Sequence, residues 1–584
     1  MPRHPAGKAA PRAALIGAFA SVAILLSGAR DARAQTPLRP GASVDTALAA
    51  AARHDYAVRL GAGESVAIVV RQMGVDVVVE VRGPDGALLD AVDSPTGRTG
   101  DEPVELVAER GGTYRLVVRP YDQGEPEGRY RLTVMEWRNR RATAALLAAR
   151  AASRDSAAAW LAGRTSPLVR AGGTEAAVPA LDALAARARV MGLGEATHGS
   201  RELADTRLAL TQYLVSRQAV RLVALEQSAS RVAVLDRWAG GEDVPDSTLR
   251  AVLESGWIGR RTLGELVRWL RAWNSAHPAG RVRLVGLDPQ DNARGRAALR
   301  EVVARGYSAD TAAWFRAMDA DLAAADSQAL VFGDSGVDPA TRRSLFELMS
   351  RLDLDAPLLA PRVGAAALAQ AREAAAHLAQ MADFNATDAN RGGRSRDAYM
   401  AANLLRALAE LPPGARAVFW AHNAHVAAPP GRQPGARTSG AWLRDLLGCE
   451  YAAVASSFGQ GGFVAQRPND PQDRLEKTVL PPAPAESVDS VMGLVLRRVA
   501  HAGAADGVIA SWSCGEPAAA GVPRWLGEAR ALHWVGGLYE AGSPPSAAFR
   551  PFDLLRDFDG VVYLPRVNAD EIFLDRPLVP ARRR

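Results

Sequence analysis

Four apolar runs between residues 188 and 420 each stop abruptly at ionisable or polar residues, and no other feature constrains the fold more. Ala188 to Leu193 runs into Glu195 and His198; Leu222 to Leu225 ends at Glu226; Val282 to Leu287 ends at Asp288; Ala417 to Trp420 ends at His422-Asn423-Ala424-His425. Short leucine-rich and β-branched runs separated by long helical stretches read as buried strands of a mostly parallel sheet. Ligands of such sheets bind at the carboxyl ends of the strands. The acids and imidazoles are therefore expected at one rim.

The spacing predicts an α/β fold over residues 178–584, a mostly parallel sheet with large helical insertions. Helix is expected over Leu203 to Ser216, with Leu203, Leu210 and Leu214 facing inward, and over much of Arg231 to Ala276 and Ala297 to Leu411. Before it, residues 45–137 alternate at period two, as in Val66-Ala67-Ile68-Val69-Val70 and Tyr114-Arg115-Leu116-Val117-Val118, with Gly83-Pro84-Asp85-Gly86 and Gly111-Gly112 as turns. That pattern predicts an all-β sandwich domain. Between the two, residues 138–177 are rich in alanine and arginine and read as a connecting helix or a flexible linker.

Residues 1–34 have the layout of a secretory signal: Arg3, Lys8 and Arg12, an apolar stretch from Ala13 to Leu26, and a small-residue cleavage site at Ala32-Arg33-Ala34. The formal net charge of the whole chain is +6; removing Arg3, Lys8, Arg12, Arg30, Arg33 and the acid Asp31 leaves +2. No concentrated basic run interleaved with aromatics is present, so nucleic acid is not an expected partner. No later stretch approaches the ~20 apolar residues that span a bilayer. The mature protein is expected to be exported, periplasmic or secreted, with a small-molecule ester as its partner. Its two cysteines, Cys449 and Cys514, would there form a disulfide or remain as buried thiols.

Chemistry is expected from the strand ends. Glu195 and His198 lie three apart in a turn flanked by Gly192, Gly194 and Gly199, and a carboxylate at that distance would fix the tautomer of a basic imidazole. Glu226 needs a cation or donor if buried, met most simply by His198 or an arginine. Asp288 is either a site residue or a strand-end cap. His422 and His425 are expected to donate to a developing oxyanion or a substrate carbonyl. Arg207, on the helix after His198, would pair with a carboxylate or point to solvent. Gly333-Asp334-Ser335-Gly336 looks like a serine nucleophile loop without its histidine, and there is no Gly-x-Ser-x-Gly elbow. No cofactor loop is present, and paired Cys-x-x-Cys or His-Glu-x-x-His metal patterns are absent.

With these residues in view, the chain resembles the erythromycin esterase family, on Gly192-Leu193-Gly194-Glu195-Ala196-Thr197-His198-Gly199-Ser200-Arg201-Glu202, Leu225-Glu226, Gly286-Leu287-Asp288, Arg396-Asp397 with Met400 and Asn403, and Trp420-Ala421-His422-Asn423-Ala424-His425-Val426. Residues 45–137 resemble the bacterial pre-peptidase C-terminal type of domain, in Asp55-Tyr56, Gly83-Pro84-Asp85-Gly86 and Gly128-Arg129-Tyr130-Arg131-Leu132-Thr133-Val134, which implies an accessory or binding module. The first resemblance implies ester hydrolysis, with macrolide lactones as the family substrate, and neither metal nor covalent intermediate. His198 would be the general base, Glu195 and Glu226 would assist, and Arg207, His422 and His425 would be further active-site positions. Asp288 and Asn423 are assigned to substrate binding. Two other readings stand beside it: metal-dependent hydrolysis at the same His/Glu cluster, and a non-catalytic cell-envelope binding protein.

Overall fold

The computed structural model describes residues 35–570 apart from 95, 123, 169–177, 255–259, 333–336, 387–394, 431–436, 469–474, 501–504, 515–520, 541–542 and 544. The signal-like segment and the Gly333 to Gly336 loop lie outside the described residues. The chain divides into two compact units at Trp137 and Arg138.

The first unit holds a five-stranded and a four-stranded sheet. Alternate residues of their strands form one core, including Tyr56, Val58, Ile68, Val79, Leu116 and Tyr130. Period-two alternation is what such an arrangement requires, since successive side chains leave a strand on opposite faces. Its core also holds a polar chain: the Tyr130 hydroxyl lies 2.6 Å from that of Tyr56 and 2.8 Å from Nδ1 of His54.

The second unit is built on an eight-stranded sheet. Val190–Glu195 lies between Tyr451–Phe458 and Arg416–His422, which is followed by Val220–Ser228 and Arg283–Asp288 at one edge; every one of these pairings is parallel. Toward the other edge, Gly560–Leu564 pairs parallel with Tyr451–Phe458, whereas Gly507–Ser511 and Thr165–Leu168 add antiparallel strands.

Both faces of this sheet are covered. Along Arg416–His422, Ala417, Phe419 and Ala421 enter one apolar core, and Val418 and Trp420 enter the other. A strand buried on both sides carries few polar residues, and no unpaired charge, until it leaves the sheet, which is why the apolar runs end so sharply. The helix Arg201–Arg217 buries Leu203, Leu210 and Leu214 as its periodicity requires. Residues from Leu299 to Ala382 contribute a third, separate core, around Phe315, Leu322, Leu345 and Leu378.

The segment read as a linker is instead part of the second unit. Its helix Arg140–Ala162 buries Ala157, Ala158 and Leu161 in the main core, and Thr165–Leu168 supplies an edge strand. Alanine-rich composition favours helix but does not reveal whether one face is packed. Cys449 and Cys514 form a disulfide, with Cα atoms 5.7 Å apart.

Candidate active site

The register of the sheet places the ionisable residues side by side. Glu195 is the direct neighbour of His422 across the parallel pair, and Leu225 lies opposite Trp420 one position earlier. Between Leu225 and Ser228 the register shifts against Asp288, a bulge that turns Glu226 out of the ladder. Four adjacent strands thus deliver Glu195, His422, Glu226 and Asp288 to one rim.

Two linked charge networks occupy that rim. In the first, Nδ1 of His198 donates to Oε1 of Glu195 at 2.6 Å, and Arg207 reaches Oε2 at 2.6 Å. Arg207 also lies over the Trp420 ring at 4.5 Å, so the indole holds the guanidinium against the carboxylate. Burial opposes ionisation of Glu195, but Arg207 and His198 outweigh it and hold the carboxyl below its usual range. The same carboxylate, with help from Glu226, raises His198 above the ordinary imidazole value against the effect of burial. Because a carboxylate accepts, Nδ1 carries the hydrogen and Nε2 is the nitrogen that exchanges a proton. The turn that carries His198 packs closely against Gly461–Gln466: a Cβ on Gly199 would sit 1.9 Å from the carbonyl oxygen of Val464.

The second network surrounds Glu226. Its Oε1 receives Nη2 of Arg396 at 2.9 Å and Nε2 of His425 at 3.1 Å, and its Oε2 accepts from the backbone N–H of His422 at 2.9 Å. Arg396 grips Asp288 with Nε at 3.0 Å and Nη2 at 2.6 Å. Nδ1 of His425 donates to Asp397 at 2.8 Å, and Asp397 also accepts from the N–H and hydroxyl of Ser439, each at 2.7 Å. Burial opposes a charge on this imidazole, but the carboxylates of Asp397 and Glu226 prevail and push its pKa up to about 10. Glu226 is held well below the usual carboxylate range by His425 and Arg396, despite its burial.

His422 completes the rim in the opposite state. Burial and the nearby His198 push it down to about 3, so it is neutral. Its Nδ1 accepts from the N–H of Ala424 at 3.3 Å, which leaves the hydrogen on Nε2, 3.4 Å from the carbonyl oxygen of Ala196. Its ring centroid is 5.3 Å from that of His198 and 5.0 Å from that of Trp534.

The structure brings His198, Glu195, Arg207, Glu226, Asp288, His422 and His425 to one place and redistributes their expected tasks. Glu226 is paired by Arg396 and His425 in preference to His198. Both ring nitrogens of His425 are engaged by carboxylates, so it has no N–H left for an oxyanion. Asp288 is the counter-ion of Arg396, a consequence of its strand lying next to that of Glu226. Asn423 is fully buried and reaches past Val190–Glu195 to clamp the strand Tyr451–Phe458, donating to the carbonyl of Ser456 at 2.8 Å and accepting from its N–H at 2.9 Å. Its amide is thereby engaged in holding the sheet together at the rim.

Arg396 and Asp397 stood in the sequence as a motif without a role. The signal was local: Ser395 caps the helix Arg396–Ala409 through the N–H of Ala398, so the two residues occupy its first turn. Ser439 carried no such signal, because it reaches Asp397 only through tertiary packing.

Imidazoles and carboxylates gathered at adjacent strand ends of a sheet buried on both faces give this α/β unit a candidate active site. The chain belongs to the erythromycin esterase family, whose model matches residues 215–567. That membership makes it a hydrolase of ester bonds. The matched stretch contains Glu226, Asp288, Arg396, Asp397, His422 and His425 and begins downstream of Glu195 and His198. Among solved structures, a Bacillus cereus protein is similar over 72% of this chain and 99% of its own, at 19% identity and a TM-score of 0.55. A succinoglycan biosynthesis protein matches 72% of this chain and 99% of its own, at 16% identity and a TM-score of 0.53. A mutant of the erythromycin esterase EreC in an open conformation matches 70% of this chain and 100% of its own, at 18% identity and a TM-score of 0.50. At these identities the likeness is one of fold.

Proposed function

We propose that this chain is an exported esterase that splits a carboxylic ester, with macrolide lactones as the first substrates to test, by attack of water activated at His198. The observation that carries this reading is the 2.6 Å hydrogen bond from Nδ1 of His198 to Glu195, itself held by Arg207. In the neutral imidazole Nε2 takes a proton from water as its oxygen bonds to the ester carbonyl carbon. Glu195 stabilises the imidazolium so formed. The tetrahedral adduct collapses as the imidazolium returns the proton to the departing alkoxide, yielding one acid and one alcohol. Glu226 acts through the imidazoles, tying His425 and the backbone of His422 to the same rim.

A metal-dependent reading of the cluster meets a chemical obstacle. A ligand imidazole must present a lone pair, and His425 spends both nitrogens on carboxylates while His422 spends Nδ1 on the Ala424 N–H. Export is supported by the signal-like layout of residues 1–34 and by the Cys449–Cys514 disulfide, since such bonds persist in oxidising compartments. No helix among the described residues is long and apolar enough to cross a membrane. The N-terminal sandwich is assigned an accessory, non-catalytic role.

The test is incubation of the mature protein with erythromycin and a panel of simple esters, followed by mass analysis for addition of one water. Turnover that survives chelation and is lost in His198→Ala is the expected result. Absence of turnover across the panel, or full activity of His198→Ala, refutes the reading.

A further inference from the structure

The strand that delivers Glu195 ends there, so His198 is carried by the turn that follows and not by the sheet. Backbone outside a ladder must find its partners elsewhere. Three distant segments supply them: the N–H of Val535 donates to the carbonyl of Ala196 at 2.8 Å, that of Val464 to the carbonyl of Gly199 at 3.0 Å, and that of Asp570 to the same Gly199 carbonyl at 2.9 Å. The N–H of Arg201 donates in turn to the carbonyl of Asn568 at 2.9 Å. Residues 567–570 thus lie as a strap along residues 199–201, with Ser200 and Ala569 as a bridged pair.

One ion pair anchors the strap. Asp570 is 3% exposed, and its Oδ1 accepts from Nε of Arg261 at 3.1 Å. A carboxylate so buried needs a counter-ion. The same guanidinium reaches Asp205 through Nη2, and its Nη1 lies 3.1 Å from both carboxylate oxygens of Glu265. Asp205 belongs to the helix Arg201–Arg217 and stands two residues before Arg207, which holds Glu195. Arg261 therefore joins two pieces of backbone that flank the contact of His198, Glu195 and Arg207: the strap over the turn and the helix that leaves it. Asn568 adds a second tie to that helix, donating to Glu202 from its backbone N–H at 2.6 Å and from its side-chain amide at 2.9 Å.

We propose that Arg261 and Asp570 are positioning residues for His198: their ion pair seats the strap on the Gly199 carbonyl, which keeps the imidazole within hydrogen-bond reach of Glu195. Its catalytic consequence rests on the reading of His198 as the general base. The contact so protected has little tolerance. At 2.6 Å the bond from Nδ1 to Glu195 is short even for a charge-assisted one, and a displacement of about 1 Å carries it beyond hydrogen-bond length. Misplacing a catalytic group by that much costs about 10² in rate. The charged and titratable groups that face the ring include Glu195, Arg207, Glu226 and His422, and the strap sets where the ring stands among them.

The experiment is a pH titration of the nine histidines of the full-length protein by nuclear magnetic resonance of isotope-labelled imidazole rings, with His198 assigned by its loss in His198→Ala. In the native protein its midpoint lies above 6.5, raised against burial by Glu195. In Arg261→Gln the midpoint should fall back toward 6.5, because the imidazolium loses its carboxylate partner. A direct field effect has the opposite sign, since removing a nearby positive charge raises the midpoint. The double variant Arg261→Gln with Asp570→Ala removes the buried acid together with its counter-ion, so it folds without an unpaired charge and leaves the local charge balance unchanged. It should show the same fall. In a Glu195→Gln background neither change should move the midpoint further. On an ester that is turned over, both variants should lower kcat about 10- to 100-fold with KM unchanged. A midpoint that stays put in the double variant, or rises in Arg261→Gln, overturns the inference and assigns the ion pair to stability alone. The titration needs no turnover, so its outcome is independent of whether the ester reaction is found.

Discussion

His198 and His422 face each other with ring centroids 5.3 Å apart, yet their surroundings drive their proton affinities in opposite directions. His198 is raised by a carboxylate it touches. The ring of His422 meets the Ala196 carbonyl and the Ala424 N–H, and burial and its neighbour push it down to about 3. His422 thus stays neutral, and of the two only His198 is favoured in its protonated form by its surroundings.

The pH dependence of kcat/KM follows. Activity requires neutral His198, whose pKa is raised from 6.5, so the rate should climb with pH through an inflection above 6.5. His422 is neutral throughout this range and adds no limb of its own. In Glu195→Gln the inflection should move to lower pH, because the charge that raised it is gone. A profile whose acid limb is unmoved by Glu195→Gln would place the base elsewhere.

His198→Ala should lower kcat by about 10² to 10⁴, the usual worth of a positioned general base, with the far-ultraviolet circular dichroism unchanged. Steady-state rates on whichever ester is turned over supply the check.

Arg396→Ala should destabilise the fold by about 3 kcal/mol, because it strips the counter-ion from two largely buried carboxylates, Glu226 and Asp288, at once. Urea unfolding monitored by tryptophan fluorescence measures it. Arg396→Lys should recover only part of the loss, since an ammonium cannot repeat the two-point grip on Asp288.

Asn423→Ala separates a structural role from a substrate-binding one. Losing both hydrogen bonds to Ser456 should cost about 2–3 kcal/mol of stability. In the folded fraction KM should be unchanged. A large rise in KM at unaltered stability would return this residue to the substrate.

His425 makes stability depend on alkaline pH. Its pKa in the folded protein, about 10, lies above the 6.5 of the unfolded chain, so folding favours the protonated form. The stabilisation is fully present below 6.5 and is lost as pH rises through about 10. Glu226 and Asp397 are lowered, so their share is present above the ordinary carboxylate range and is lost on acidification through their folded values. Thermal midpoints from pH 7 to 11 should fall, and the fall should be shallower in His425→Gln.

The strands and their polar ends were legible because burial on both faces disfavours charged residues until a strand leaves the sheet, so each of these four boundaries is written into the chain where it occurs. The closeness of Glu195 and His198 was legible for a similar reason, three residues and a glycine-flanked turn being a local matter. Who pairs with whom was not. Strand order puts Asp288 beside Glu226, and Arg396, 170 positions from Glu226, reaches both only after the sheet has closed. The same holds for the helix Arg140–Ala162, whose buried face depends on a partner far along the chain, and for Cys449 and Cys514, whose bond depends on a Cα separation of 5.7 Å set by the sheet. The sequence by itself determined which side chains would stand at the strand ends; the tertiary structure decided their protonation, because proton affinity depends on the charges and desolvation that neighbours supply and is not a property of the residue alone.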